Sequence, residues 1–373
     1  MPLSSEDQLR IQVMLHNSPK AIRIDENQMV LYALTPQGEA SIPLSPNEPN
    51  EPYLKQLREL LSEHVLGSSG GYPLYLQRWS RMGQTGEQHL EEFLLLAEPE
   101  AVVAVANSPG LTLELARRVW WAVNNTAQQA EQGLHMLRRQ SVVEDVLGRE
   151  IAQFLIGHLP FVIEPEEVLS ILSAVLQEGL LEQAEIDRIW RRSQERGKGI
   201  YQIAFLLGCP LSLPDPQPAH PSLTQLQQQL APWVDDGNAV AKLLLQVATA
   251  EGQTFVGQVL GLLDSVANEV SVYALMSALG QFFTLPGLPR EPGRDLGQIA
   301  LSVEGRLEEE PFQPLLQQWP GLSARMGAIL LLAHVREEVV FHSVLHSGAV
   351  GRSLRKKLIS EFDWIRSSLQ KLL

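Results

Sequence analysis

The sequence predicts a mainly α-helical protein that opens with a small α+β module. Three observations carry that expectation. Apolar residues recur at helical spacing from about Gln88 onward, one early stretch alternates with period two, and Pro-Gly, Gly and Glu-Pro steps break the helical part into short segments. With 373 residues, 45% of them hydrophobic and 19% charged, the chain has enough apolar side chain to bury more than one core. Two or three domains are expected.

Met1 to His16 reads as a short amphipathic helix carrying Leu9, Ile11, Val13, Met14 and Leu15. It has neither the basic nor the apolar region of a secretory signal. From Ala21 to Ser45 the apolar positions alternate: Ile22 and Ile24, then Val30, Tyr32 and Leu34, then Ala40 and Ile42. Asp25-Glu26-Asn27 and Pro36-Gln37-Gly38 separate them as turns, which is the pattern of an antiparallel meander. A helix from about Tyr53 to Val65 follows, bearing Leu54, Leu57, Leu60 and Leu61, and Gly67-Ser68-Ser69-Gly70-Gly71 ends it. Residues 1–85 form the expected α+β module.

Residues 86–209 are expected to be a helical-hairpin domain, either HEAT-like or an irregular bundle, with helices near 88–97, 99–107, 111–124, 127–139, 142–158, 165–178, 182–196 and 199–207. Glu98-Pro99-Glu100-Ala101-Val102-Val103 is echoed by Glu164-Pro165-Glu166-Glu167-Val168-Leu169. The echo suggests a duplication, although Glu-Pro pairs also gather at helix starts without any repeat. Residues 210–222 contain five prolines and read as a semi-stiff linker. Residues 223–373 form the expected C-terminal helical domain. Its helices begin near Leu223, Asn238, Gln253, Val270, 295 and 312, with two closing helices over Leu322–His346 and Arg352–Leu372. Gly257 and Gly261, one turn apart, suggest close helix packing.

A formal charge of −14 and a pI near 5.2 disfavour DNA and anionic lipid surfaces as general partners. No apolar stretch is long enough to span a bilayer. The single cysteine, Cys209, excludes an intrachain disulfide and any multi-thiolate metal site. Gly67-Ser68-Ser69-Gly70-Gly71 matches G-x-S-x-G formally, but it follows a helix instead of a strand, so it reads as a helix-ending loop. Gly197-Lys198-Gly199 lacks the rest of a phosphate-binding loop, and no dinucleotide fingerprint is present. No cofactor is expected.

Two constellations remain. His334, Glu338, His342 and His346 recur every fourth residue and would share one face of a continuous helix. That geometry suits a shared metal ion or, equally, an amphipathic polar stripe. Arg78, Trp79, Arg81, Arg117, Arg118 and Trp121 are candidate interaction residues. Guanidiniums beside aromatics suit an acidic protein partner or RNA, whereas interspersed glutamates such as Glu114 would turn the same arginines into internal ion pairs.

The run Gly70-Gly71-Tyr72-Pro73-Leu74-Tyr75-Leu76-Gln77-Arg78-Trp79-Ser80-Arg81-Met82-Gly83-Gln84 resembles the sulfur reduction protein DsrS family. So do Glu98-Pro99-Glu100-Ala101-Val102-Val103-Ala104-Val105, Leu115-Ala116-Arg117-Arg118-Val119-Trp120-Trp121 and His158-Leu159-Pro160-Phe161. The resemblance implies a cytoplasmic accessory protein of bacterial dissimilatory sulfur oxidation and transfers no catalytic residue. The expected function is therefore non-enzymatic and regulatory, working through protein partners of that system or through RNA. The alternative is a metal-dependent enzyme or metal-binding protein built on the histidine stripe.

Overall fold

Residues 5–16 form α1 (Ser5–His16), started by the Ser4 hydroxyl, which accepts the Asp7 N–H at 3.1 Å. The meander follows as β1 (Ala21–Asp25), β2 (Val30–Thr35) and β3 (Gly38–Pro43), antiparallel in the order β1-β2-β3. Ile22 pairs with Ala33 and Ile24 with Leu31, and these four side chains form the buried face. The expected period is therefore present, but in β2 it is Leu31 and Ala33 that are buried, while Val30, Tyr32 and Leu34 are half-buried. Apolar side chains occupy both faces of β2, so alternation alone did not say which face turns inward.

The computed structural model describes residues 3–46, 49–67, 90–195, 199–266, 268–289, 294–310, 312–340 and 352–373, and for 337, 338, 352, 354 and 355 the backbone. The chain is mainly α-helical with this small α+β module at its start, and it divides into two compact units, Met1–Pro160 and Phe161–Leu373.

In the first unit, α2 (Asn50–Leu66) ends on Gly67, whose φ of +65° permits the left-handed cap that closes onto Glu63. Tyr53, Leu54, Leu57 and Leu61 pack with Ile11, Met14 and the inner sheet face in one core. Buried in that core, the Tyr53 hydroxyl donates to Asp7 Oδ2 at 2.6 Å. Burial first and the Asp7 carboxylate second push the phenol well above its usual range.

The helices α3 (Leu90–Phe93), α4 (Pro99–Asn107), α5 (Leu113–Ala122), α6 (Thr126–Met136), α7 (Gln140–Val143) and α8 (Val146–His158) complete the unit. They belong to the same compact unit as the meander. Ile22 N–H donates to the Leu94 carbonyl at 2.8 Å, Asn124 Nδ2 to the Ile24 carbonyl at 2.7 Å, and Arg23 Nη1 to the Trp121 carbonyl at 3.1 Å. These bonds tie β1 to the helical part along its length.

The second unit contains α9 (Pro165–Val175), α10 (Gln183–Ser193), α11 (Gly199–Gly208), α12 (Leu223–Asp235), α13 (Ala239–Ala248), α14 (Ala250–Leu263) and α15 (Glu269–Phe282). It continues with α16 (Leu296–Arg306), α17 (Gln313–Gln318), α18 (Ser323–Leu332), α19 (Glu337–Val340) and α20 (Arg352–Gln370). Both α4 and α9 start with proline in the first turn, so the Glu-Pro echo is accounted for by helix initiation.

The helix α11 packs against both α9 and α15, with Ile203, Ala204 and Phe205 fully buried. The proline-rich run that follows it is not a spacer between domains. Trp190 Nε1 donates to Asp215, Gln217 N–H to Thr254 Oγ1, and His220 N–H to the Ala248 carbonyl, all at 2.8–2.9 Å. Arg325 of α18 reaches both His220 and Ser222. Proline removes donors, but the remaining N–H groups are enough to strap the run across the unit. Gly257 faces this strap, since a Cβ there would come within 2.6 Å of Gln217 Nε2, and Gly261 faces open space. Neither glycine mediates the helix contact expected of the pair.

Glu361 of α20 is 5% exposed, and its carboxylate accepts the Leu296 N–H at the start of α16 at 3.2 Å. Burial raises its pKa, the Leu296 bond opposes that, and Asp295 adds to the rise. A raised folded-state pKa gives stability that is complete below the unfolded value and lost as pH rises through the folded one. Glu361→Gln, which retains an accepting oxygen, is therefore expected to gain stability relative to the native chain as pH rises from about 4 to 7. Urea denaturation at both pH values measures this, and a constant difference would refute it.

Candidate ligand-binding cleft

The histidine stripe requires one continuous helix, and the chain does not form it: α18 stops at Leu332 and α19 begins at Glu337. His334 lies in the break, 4% exposed. Its Nδ1 contacts the Leu330 carbonyl at 2.8 Å and its Nε2 contacts Arg306 Nη1 at 3.0 Å. A guanidinium only donates, so Nε2 is the acceptor and Nδ1 carries the proton. Burial holds this histidine below its usual pKa, with Arg306 and Arg336 acting in the same direction. With both ring nitrogens engaged, His334 does not offer a lone pair to a metal. The Glu338 side chain, His342 and His346 lie outside the described residues, among which no cluster of three His, Cys, Asp or Glu is arranged to hold a metal ion.

Arg78, Trp79 and Arg81 also lie outside the described residues. Arg117 donates to Asp145 Oδ2 at 2.8 Å. Arg118, 8% exposed, sits between Glu114 at 3.3 Å and Glu91 at 3.4 Å. Burial works to raise the Glu114 carboxyl, but Arg118 and Lys20 together hold it below the ordinary value. These arginines make the internal ion pairs that the nearby glutamates allowed. Trp121 donates from Nε1 to Glu39 Oε2 at 2.7 Å, and its ring lies 4.7 Å from the Arg23 guanidinium, which also stacks on Tyr32 at 4.8 Å. Trp121 thus covers the outer face of the meander. Cys209 is half-buried, and burial pushes its thiol up to about 11, so at neutral pH it is a thiol and not a thiolate.

What the first unit does contain is a cleft of about 380 Å³. The end of β1 and its turn form one wall with Arg23, Asp25 and Asn27, and Arg58 adds to the lining. The start of α4, Val123 to Asn125 and the α6 residues Gln128 and Gln132 form the remainder. Each wall is fixed locally. Asp25 Oδ1 accepts the Asn27 and Gln28 N–H groups and shapes the turn. Asn125 caps α6 through the Ala127 and Gln128 N–H groups. Arg58 pairs with Glu26 and donates to the Ala97 carbonyl, and Ala97 holds a left-handed φ of +52° as the chain turns into α4.

Gln132 is the unusual member. It is fully buried, and its Oε1 accepts from Asn107 Nδ2 at 3.4 Å while its Nε2 has no partner. The orientation is not arbitrary. Asn107 Nδ2 also donates to the Val103 carbonyl at 2.9 Å, so Asn107 presents a donor and Gln132 must answer with its oxygen. Arg23 Nε is likewise buried without a hydrogen-bond partner, but its guanidinium is held by Trp121, Glu39 and Tyr32, which do not line the cleft. Gly133 helps to set this geometry, because a Cβ there would meet Ile151 at 2.9 Å and the Trp120 ring at 3.3 Å, so α6 lies close against α5 and α8. Compared with family models, with curated proteins and with solved structures, the chain matches none.

The sequence marked turns and helix starts among the cleft residues but none of them as part of a site. Asn124-Asn125-Thr126 carried a helix-start signal that reveals Asn125, and Arg23 was a charge within an apolar alternation. Gln132 carried no signal at all, since its burial and its open donor arise only from packing.

Proposed function

We propose that this chain is a non-enzymatic, cytoplasmic accessory protein of bacterial dissimilatory sulfur oxidation that works by recognition. The observation that carries the recognition part is the polar cleft of the first unit, with its buried amide donor left open at Gln132. Such a group costs free energy in the empty protein and is satisfied when a partner supplies an acceptor. The sulfur context rests on the DsrS-like runs around Glu98, Leu115 and His158 and on the run from Gly70 to Gln84. RNA recognition is the weaker reading, because Arg117 and Arg118 are engaged with carboxylates and Trp121 with Glu39 and Arg23.

The test is affinity capture of the tagged chain from cells grown on reduced sulfur compounds. Enzymes of sulfur oxidation are expected in the eluate after ribonuclease treatment. Salt-sensitive recovery of RNA without those enzymes would replace this reading with the RNA one, and recovery of neither would remove the proposed role.

A further inference from the structure

The open donor of Gln132 and the charge of the cleft together restrict what it can hold. Gln132 Nε2 requires an acceptor, and Gln132 lines the cavity. The lining carries three carboxylates, Asp25, Glu26 and Glu98, against two guanidiniums, Arg23 and Arg58. A dianion is repelled by that excess, and the net charge of −14 adds to the repulsion. A purely apolar molecule would leave that donor unmet. The side-chain amides of Asn27, Asn124 and Gln128 extend the same polar character.

We infer that the cleft is a receptor for a small molecule of no net negative charge bearing an sp² oxygen, a free amino acid or a carboxamide, whose oxygen accepts from Gln132 Nε2. A volume of about 380 Å³ is at the small end for ligand pockets, which suits a molecule of this size. The inference rests on reading the cleft as the recognition site and is independent of the sulfur context, so its test is made on the purified chain.

The test is calorimetric titration and thermal melting of the full-length protein with L-glutamine, L-asparagine and propionamide, beside succinate and inorganic phosphate. The amino acids or the amide are expected to bind and raise the melting temperature, and the two anions to leave it unchanged. Gln132→Glu keeps the oxygen facing Asn107 and replaces the donor by a second oxygen. It should weaken binding about tenfold or more, the loss expected when a buried donor is withdrawn. Gln132→Met removes the open donor without adding charge, so it should retain or raise the melting temperature of the empty protein while weakening binding similarly. A purely structural glutamine would change melting and leave affinity alone. Absence of binding by all three neutral probes up to about 10 mM, well beyond millimolar affinity, overturns the inference. So does preferential binding of succinate or phosphate, or unchanged affinity in both variants.

Discussion

Gly252→Ala is expected to destabilise the second unit by about 3 kcal/mol or more, because overpacking against backbone cannot be relieved by a rotamer change. A Cβ at this position would lie 2.1 Å from the Gln246 carbonyl oxygen and 2.6 Å from both Cα and the carbonyl oxygen of Val247. All three are main-chain atoms at the end of α13. The corner between α13 and α14 is set by Thr249, whose N–H closes the first helix and whose hydroxyl accepts the Gly252 N–H at 3.2 Å. The adjoining Gln253 donates to the Val247 carbonyl at 2.8 Å and to the Leu372 carbonyl at 3.0 Å, so opening the corner also disturbs the end of the chain. Gly261→Ala on the same helix meets open space and is expected to be neutral or to gain up to about 1 kcal/mol from helix propensity. Urea unfolding of both variants checks the pair, and equal effects would mean that steric fit at the corner is not what selects glycine.

The helical layout was legible because periodicity and caps are local. Glu98-Pro99, Asn125 and Asp295 each start a helix within a residue or two of where the sequence placed it. The errors arose where long-range packing decides. The proline-rich run has the composition of a linker, yet His220 and Gln217 find acceptors on distant helices, and composition is silent about acceptors brought near by folding. The apolar Met326 to Val335 stretch continued a helical period into His334, and nothing in the pattern showed the break before α19. There Gly280 lets the α15 backbone approach the Val335 carbonyl, since a Cβ would lie 2.7 Å from it. Arg117 and Arg118 were read with both outcomes in view, and Glu114, Glu91 and Asp145 engage them. The cleft was illegible for a plainer reason. Its signature is a donor without a partner, and partners exist only once the chain has folded.

Phe255→Ala should have an effect of the same order by the opposite mechanism, removing volume instead of adding it. Phe255 is fully buried in α14. Its ring stacks on Phe282 with centroids 3.9 Å apart and meets Phe283 edge-on at 6.4 Å. Phe282 and Phe283 are themselves in edge contact at 5.0 Å, so the three rings form one aromatic core that joins α14 to the end of α15. Truncation loses the transfer free energy of the ring and leaves a cavity that two rigid rings and the fixed Thr249 corner cannot collapse to fill. The expected cost is about 3–5 kcal/mol. At roughly 2–4 °C per kcal/mol for a unit of this size, melting should fall by about 10 °C. Phe255→Leu refills part of the space and should recover a substantial share of the loss. If alanine and leucine at this position melt alike, or if neither departs from the native chain by more than about 1 kcal/mol, the stacked rings do not hold α14 to α15.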